Sequence, residues 1–229
     1  MFKKIATMFK SRKHAPKHIA ITINDVEEWA SKKNIDLHDA YKKCFEIVNA
    51  LMEMQIESDI RIVSVYVSGE DKKNSIELND AIAHFFSILE GHPLVNENQV
   101  KISVLGKWYD LSGKVIEPVK KILNETKDYD NFFLNFCINY DGQEEIVDAC
   151  KLLARQIKAE KIDADAIDKN VIKDNLYSSY FLPPDIIIVT GKRKSTNGFL
   201  LWDSKFSEIY FTEEPFPEFS EKDFEKAIG

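Results

Sequence analysis

Six short runs rich in β-branched residues alternate with amphipathic stretches of helical length. The runs are residues 19–23, 60–66, 100–104, 132–138, 185–189 and 208–211. Helical periodicity covers 38–54, 76–89, 115–126, 143–158 and 165–176 between them. Strands separated by helices form βαβ units rather than hairpins, which predicts an α/β fold with a mostly parallel central sheet flanked by helices. Glycine is scarce, at 8 in 229 residues, and no glycine-rich linker divides the chain. One domain over residues 18–229 is therefore expected. Sheets of this kind bind ligands beyond the carboxyl ends of their strands, so the loops after Ile23, Tyr66, Ile138 and Val189 are the ones to inspect.

The charge is uneven. Residues 1–17 carry six cations and no acid, which leaves −13 on the rest of a chain whose net charge is −7. An acidic body argues against nucleic acid as a partner. In the arm, Phe2, Ile5 and Phe9 recur at helical spacing with Met1 and Met8, and lysines lie between them. Such a segment either lies on an acidic membrane surface or is a solvated arm packed on the domain. No apolar run approaches the roughly 18–20 residues that span a bilayer, and the start lacks the apolar core of a signal peptide. Cys44, Cys137 and Cys150 have no metal spacing and sit in apolar periodic segments, as expected of core thiols in a reducing cytosol. The histidines, His14, His18, His38, His84 and His92, show no paired-ligand spacing, and His84 falls on an apolar helix face as a core residue would. Gly191-Lys192 lacks the upstream glycine and following Ser/Thr of a P-loop.

Five segments, in order, carry a resemblance. They are His18-Ile-Ala-Ile-Thr-Ile-Asn24-Asp25-Val26-Glu27-Glu28-Trp29-Ala30, then Val67-Ser68-Gly69-Glu70-Asp71, then Leu134 to Ile146 with Asn139-Tyr140 and Gly142, then Pro184 to Gly191, and finally Phe199-Leu-Leu-Trp202 through Glu208 to Phe219. The chain resembles the cis-prenyltransferases, the undecaprenyl diphosphate synthase family, over nearly its whole length. The resemblance implies condensation of isopentenyl diphosphate onto an allylic diphosphate, with Mg²⁺ held by a carboxylate at the end of the first strand. It also implies arginine contacts to the diphosphates and an apolar tunnel for the product. Charge-assisted contacts of that kind stabilise the departing pyrophosphate.

The departures fall on the charged positions. The family's metal-holding aspartate aligns with Asn24, which has no charge to offer a cation. Three arginine positions read as Glu28, Val189 and Ser195. At roughly 1.5–3 kcal/mol for each charge-assisted bond, their loss sums to roughly 5–9 kcal/mol, or about 10³- to 10⁶-fold in binding or rate. The added carboxylates Asp25, Glu27 and Glu28 repel a diphosphate. Against this, Trp29 and Glu208 hold family positions beside the allylic substrate and near the metal, and His38 aligns loosely with a family histidine. Lys192, Arg193 and Lys194 lie one or two residues from the missing arginines, either as substitute ligands or as a solvated turn. The family's short Arg-x-Gly tail, which completes the neighbouring subunit's site, has no counterpart between Phe219 and Gly229: either the tail is lost or the chain is naturally short.

Three readings remain. The resemblance implies a supporting subunit with a degraded diphosphate and Mg²⁺ site, since the family includes heteromeric enzymes with one motif-poor subunit. An active synthase needs rearranged ligands: Asn24 and Asp25 as catalytic groups, Asp25 and Glu208 on Mg²⁺, and Trp29, His38, Lys192, Arg193 and Lys194 on substrate. A module holding lipid in the tunnel is the third. The first two imply a dimer, either with itself or with an intact relative.

Overall fold

The computed structural model describes residues 16–229, so residues 1–15 of the basic amphipathic arm lie outside the described residues. Six strands form one sheet: β1 His18–Thr22, β2 Ile62–Tyr66, β3 Val100–Leu105, β4 Phe132–Cys137, β5 Ile186–Val189 and β6 Glu208–Phe211. Their order is β3-β4-β2-β1-β5-β6 and every pairing is parallel. The helices are α1 Val26–Lys33, α2 Leu37–Glu57, α3 Ile76–Leu89, α4 Pro93–Glu97, α5 Gly113–Glu125, α6 Gly142–Lys158, α7 Lys169–Lys173 and α8 Glu221–Ile228. The result is a single α/β domain with an all-parallel sheet flanked by helices.

The continuous apolar runs are read out as strands buried on both faces. All residues of β1, β2 and β5 are buried. One face packs on α2, α3 and α5, where Phe45 stacks on Phe85 with ring centroids 4.7 Å apart and Phe86 meets Phe136 at 5.0 Å. The other face packs Ile187, Val189 and Cys137 against Tyr140, Phe181 and Phe199. Phe45, Phe85, Phe86 and Phe136 thus form one aromatic cluster between α2, α3 and the sheet. Aromatic pairs of this geometry add about 0.5–1.5 kcal/mol beyond their area.

Register sets the rim. Thr22 aligns with Tyr66, Tyr66 with Cys137, Cys137 with Leu105, and Val189 with Phe211. The strands therefore end at one level. The chain reverses direction across the sheet at β1, with β2 on one side and β5 on the other, which is where a doubly wound sheet opens its crevice.

Three readings are corrected. The stretch 165–176 is not one helix: Asp163 caps a 3₁₀ turn at Ala164–Ala166, and Asp168 accepts hydrogen bonds from the N–H groups of Asn170 and Val171, so only Lys169–Lys173 is α-helical. Cys150 is exposed, because the buried stripe of α6 runs through Glu145, Ala149 and Leu153 and passes one residue short of it. His84 is exposed, between the buried Ala83 and Phe85, and opens onto a groove beside α2.

Among the described residues, no helix is long and apolar enough to cross a membrane.

Candidate functional site

The loops after β1, β2, β4 and β5 meet around a cavity of ≈ 410 Å³ at the carboxyl ends of the strands. Asn24, Tyr66, Ser68, Asp71, Asp141 and Arg193 are among its walls. This is the place that strand topology indicates for a ligand.

Asn24 is committed to the protein. Its side-chain amide donates to Thr22 Oγ1 at 2.8 Å and to the Thr190 carbonyl at 2.9 Å. Thr190 is stitched to the same strand, its N–H donating to Thr22 Oγ1 at 3.1 Å and its hydroxyl to the Thr22 carbonyl at 2.7 Å. The amide thus ties β1 to β5, and an aspartate could not make either donation.

The next residue, Asp25, has φ 59°, a left-handed conformation that starts α1. Its carboxylate accepts from the Lys192 N–H at 2.8 Å. Gly191 makes room for it: φ there is +86°, and a Cβ would lie 2.6 Å from Asp25 Oδ2. The other two acids are paired as well. Glu27 accepts from the Lys72 ammonium and the Tyr41 hydroxyl, and its carboxyl titrates below the usual range because those bonds outweigh burial. Glu28 pairs with Lys192 at 2.8 Å and with Lys32, which hold it down at about 2. Helix α1 follows directly on Asp25. Acids in the first turn and Lys32 and Lys33 in the last suit the helix dipole, which explains the helix locally.

The predicted site residues divide among four places. Asp25, Glu28, Trp29 and Lys192 share a cleft of ≈ 190 Å³ beside the main cavity. Asn24 and Arg193 line the main cavity, and Lys194 is exposed and lines neither. Trp29 is buried, donates its indole N–H to Glu218 at 2.8 Å, and carries the Lys43 ammonium 4.8 Å from its ring centre. His38 lies on α2 in a groove of ≈ 280 Å³ with Lys42, Phe45, His84, Phe85 and His92, away from the strand ends.

Glu208 does not join Asp25. It pairs in register with Ile186, itself opposite Ile19, and so stands at the amino end of the sheet. Three residues of strand, about 10 Å at 3.3 Å each, separate that level from the rim. Within this one chain the two carboxylates cannot share an ion. Among the described residues no three His, Cys, Asp or Glu side chains converge as a metal-ligand set. At the end of β1 the Asn24 amide nitrogen faces protein acceptors, Asp25 accepts from the Lys192 backbone N–H, and Glu27 and Glu28 pair with lysine ammonium groups, so this segment offers Mg²⁺ no uncommitted carboxylate.

Sequence reasoning passed over Tyr66 and Lys72. Tyr66 is buried, and burial together with Asp71 and Asp141 pushes its hydroxyl up to about 12. Lys72 supplies the ion pair to Glu27 across 45 residues of chain. Their signal was position alone, at the end of a strand and just beyond the Ser68-Gly69-Glu70-Asp71 loop.

Comparison with known proteins gives this architecture a family. A family profile described as "Putative undecaprenyl diphosphate synthase" matches residues 26–229. A tritrans,polycis-undecaprenyl-diphosphate synthase (geranylgeranyl-diphosphate specific) of Thermoplasma volcanium is 34% identical over 219 residues, 93% of this chain and 84% of that one. A ditrans,polycis-undecaprenyl-diphosphate synthase ((2E,6E)-farnesyl-diphosphate specific) of Buchnera aphidicola is 26% identical over 215 residues, covering 93% and 86%. The fold matches the crystal structure of lavandulyl diphosphate synthase from Lavandula x intermedia in complex with dimethylallyl diphosphate, with a TM-score of 0.87, 21% identity, and 93% and 94% of the two chains covered. The chain belongs to the undecaprenyl diphosphate synthase family, the cis-prenyltransferases.

Proposed function

We propose that this chain is a cis-prenyltransferase-family subunit that does not itself condense isopentenyl diphosphate and instead supports an intact synthase in polyprenyl diphosphate formation. One observation carries the reading: the side chains that follow β1 are bonded to their own chain. Asn24 donates inward to Thr22 and Thr190, Asp25 accepts from the Lys192 backbone N–H, and Glu27 and Glu28 pair with the ammonium groups of Lys72 and Lys192. A diphosphate needs those cations free and a carboxylate free for its metal. Breaking such pairs and repelling the exposed acids both oppose it.

A second reading, an active synthase with rearranged ligands, is favoured by Arg193. It lines the main cavity and forms no ion pair among the described residues.

The test is incorporation of labelled isopentenyl diphosphate onto geranylgeranyl or farnesyl diphosphate with Mg²⁺. The purified chain is assayed alone, then with an intact-motif relative from the same organism. No turnover alone and a raised rate with the relative are expected. Turnover by the chain alone overturns the supporting role and favours Arg193 as a diphosphate ligand.

A further inference from the structure

Helix α6 turns one carboxylate into the interior. Glu145 is 1% exposed and shares the buried stripe of Ala149 and Leu153. Its Oε1 accepts from the Ser178 N–H at 3.0 Å, and its Oε2 meets the Tyr140 hydroxyl. The ammonium of this pocket belongs to Lys173 on α7, and it is fully committed. Lys173 Nζ donates to Asp203 Oδ2 at 2.6 Å, to the Ser178 carbonyl at 2.8 Å and to Ser178 Oγ at 3.1 Å. An ammonium has three hydrogens, so none is left for Glu145. The other groups around Glu145 supply no cation. Cys137 of β4 is a buried thiol, Tyr177 gives its hydroxyl to Asp148, and Lys107 pairs with Glu144 and Asp148. His18 of β1 stays neutral above about pH 4. Glu145 and Asp203, both buried, thus face one ammonium between them, and the pocket is left one negative charge in excess.

We propose that Glu145 is a proton-operated latch on the segment 174–182. Protonated, it leaves the pocket neutral and the segment held against α6. Ionised, it sets an uncompensated charge beneath the segment and loosens it. A buried carboxylate without a cation favours its neutral form, and a second carboxylate nearby adds to that preference. The proton has a place: Oε2 can donate to the Tyr140 oxygen while Oε1 keeps the Ser178 N–H. The segment is pinned at this point by Ser178 and by the buried Leu176 and Phe181, and its Leu182 carbonyl takes the His18 Nδ1 bond. Burial moves the Glu145 carboxyl above its usual range, against the bonds from Tyr140 and Ser178, and the Asp203 charge adds to the rise. The folded group therefore binds its proton more tightly than the unfolded one. The latch is at full strength below about pH 4.5 and weakens as the pH rises through the folded midpoint. Tyr140 also walls the main cavity, which ties the latch to the candidate site. The inference stands apart from the loss-of-condensation reading, since it holds whether or not the chain condenses isopentenyl diphosphate.

Carbon-13 NMR of the glutamate side chains in the full chain reads the Glu145 titration directly, the resonance being assigned through its own backbone. A midpoint above 4.5 is expected in the folded protein. Amide exchange of residues 174–182, corrected for its intrinsic pH dependence, reads the latch. Protection is expected to fall by at most about tenfold per pH unit between pH 4.5 and that midpoint, because one proton leaves per opening, and to level off above it. Glu145→Gln cannot ionise yet keeps both bonds, its amide donating to the Tyr140 oxygen, so protection independent of pH is expected over the same range. Asp203→Asn removes the second carboxylate, and a lower Glu145 midpoint is expected. A wild-type midpoint at or below 4.5 overturns the proposal, and that reading needs no variant to fold. So does a fall in protection that Glu145→Gln shares, or a midpoint that Asp203→Asn leaves in place.

Discussion

Acid should loosen this fold through His18. The imidazole is buried at the start of β1, with Nδ1 2.6 Å from the Leu182 carbonyl and Nε2 2.8 Å from Ser64 Oγ. The carbonyl can only accept, so Nδ1 carries the proton and donates, and Nε2 accepts from the Ser64 hydroxyl. Both bonds are made by the neutral ring. Burial lowers its pKa to about 4; the Leu182 bond, Asp203 and Asp185 oppose the shift, and Lys173 adds to it. The unfolded chain takes up the proton near 6.5, so between those values the unfolded state holds more protons. Stability is therefore full above about pH 6.5 and falls as the pH drops toward about 4. The shift of about 2.5 units corresponds to roughly 3 kcal/mol in all, of which about 2 kcal/mol is lost by pH 5. Urea unfolding at about pH 7 and pH 5 reads this as a lower midpoint at unchanged slope. A His18→Gln variant, which cannot charge, removes the difference attributable to this ring. Equal pH dependence in the wild type and His18→Gln would refute the reasoning.

Other perturbations have definite expected outcomes. Asn24→Asp replaces a donor to Thr190 with a second acceptor; a loss of about 1–3 kcal/mol in urea unfolding is expected, with no gain of condensation activity while Glu28, Val189 and Ser195 remain. Asp203→Ala leaves the Lys173 ammonium without its 2.6 Å partner in a mostly buried setting, and a cost of about 3–5 kcal/mol is expected from the same measurement. Phe85→Ala removes the ring stacked on Phe45 and edge-on to Phe86 and Phe136, with an expected loss of about 3–5 kcal/mol; a loss below about 1 kcal/mol would mean the cluster is not close-packed. Lys192→Ala separates an exposed pair, so an unchanged midpoint is expected in thermal unfolding.

The fold was legible where local pattern decides it. The runs at 19–23, 132–138 and 185–189 are β-branched or aromatic over their length and became strands within a residue or so. The stretch 76–89 became α3 with the same bounds. Periodicity failed at 165–176 because short side chains settle that region: Asp163 and Asp168 bond nearby N–H groups and restart the helix. It failed at His84 and Cys150 because one residue of helix is 100° of rotation, enough to leave a buried stripe. The candidate site was legible as a set of loops, and its chemistry was not. Asp25 meets Lys192 across 167 residues, and Trp29 meets Glu218 across 189. No local pattern encodes such pairings. Strand order and register create them, and that is why Glu208, a plausible companion for Asp25 by motif, lies at the other end of its strand.

The position of β1 has a consequence for the order of assembly. It is the first strand to leave the ribosome and sits inside the sheet, between β2 and β5. The half-sheet β3-β4-β2-β1 can close once residue 137 has emerged, but one flank of β1 then waits for Ile186–Val189. Throughout that interval the nascent chain presents the open flank of a strand whose residues are all buried in the finished sheet. Contacts of such separation slow folding and expose intermediates to aggregation. Asp185, whose carboxylate takes the N–H groups of Lys17 and His18 at 2.7 and 3.0 Å, is the clasp that ends the wait. Truncations that stop between 137 and 185 should therefore burden chaperones far more than truncations beyond β5, whatever chemistry the finished protein performs.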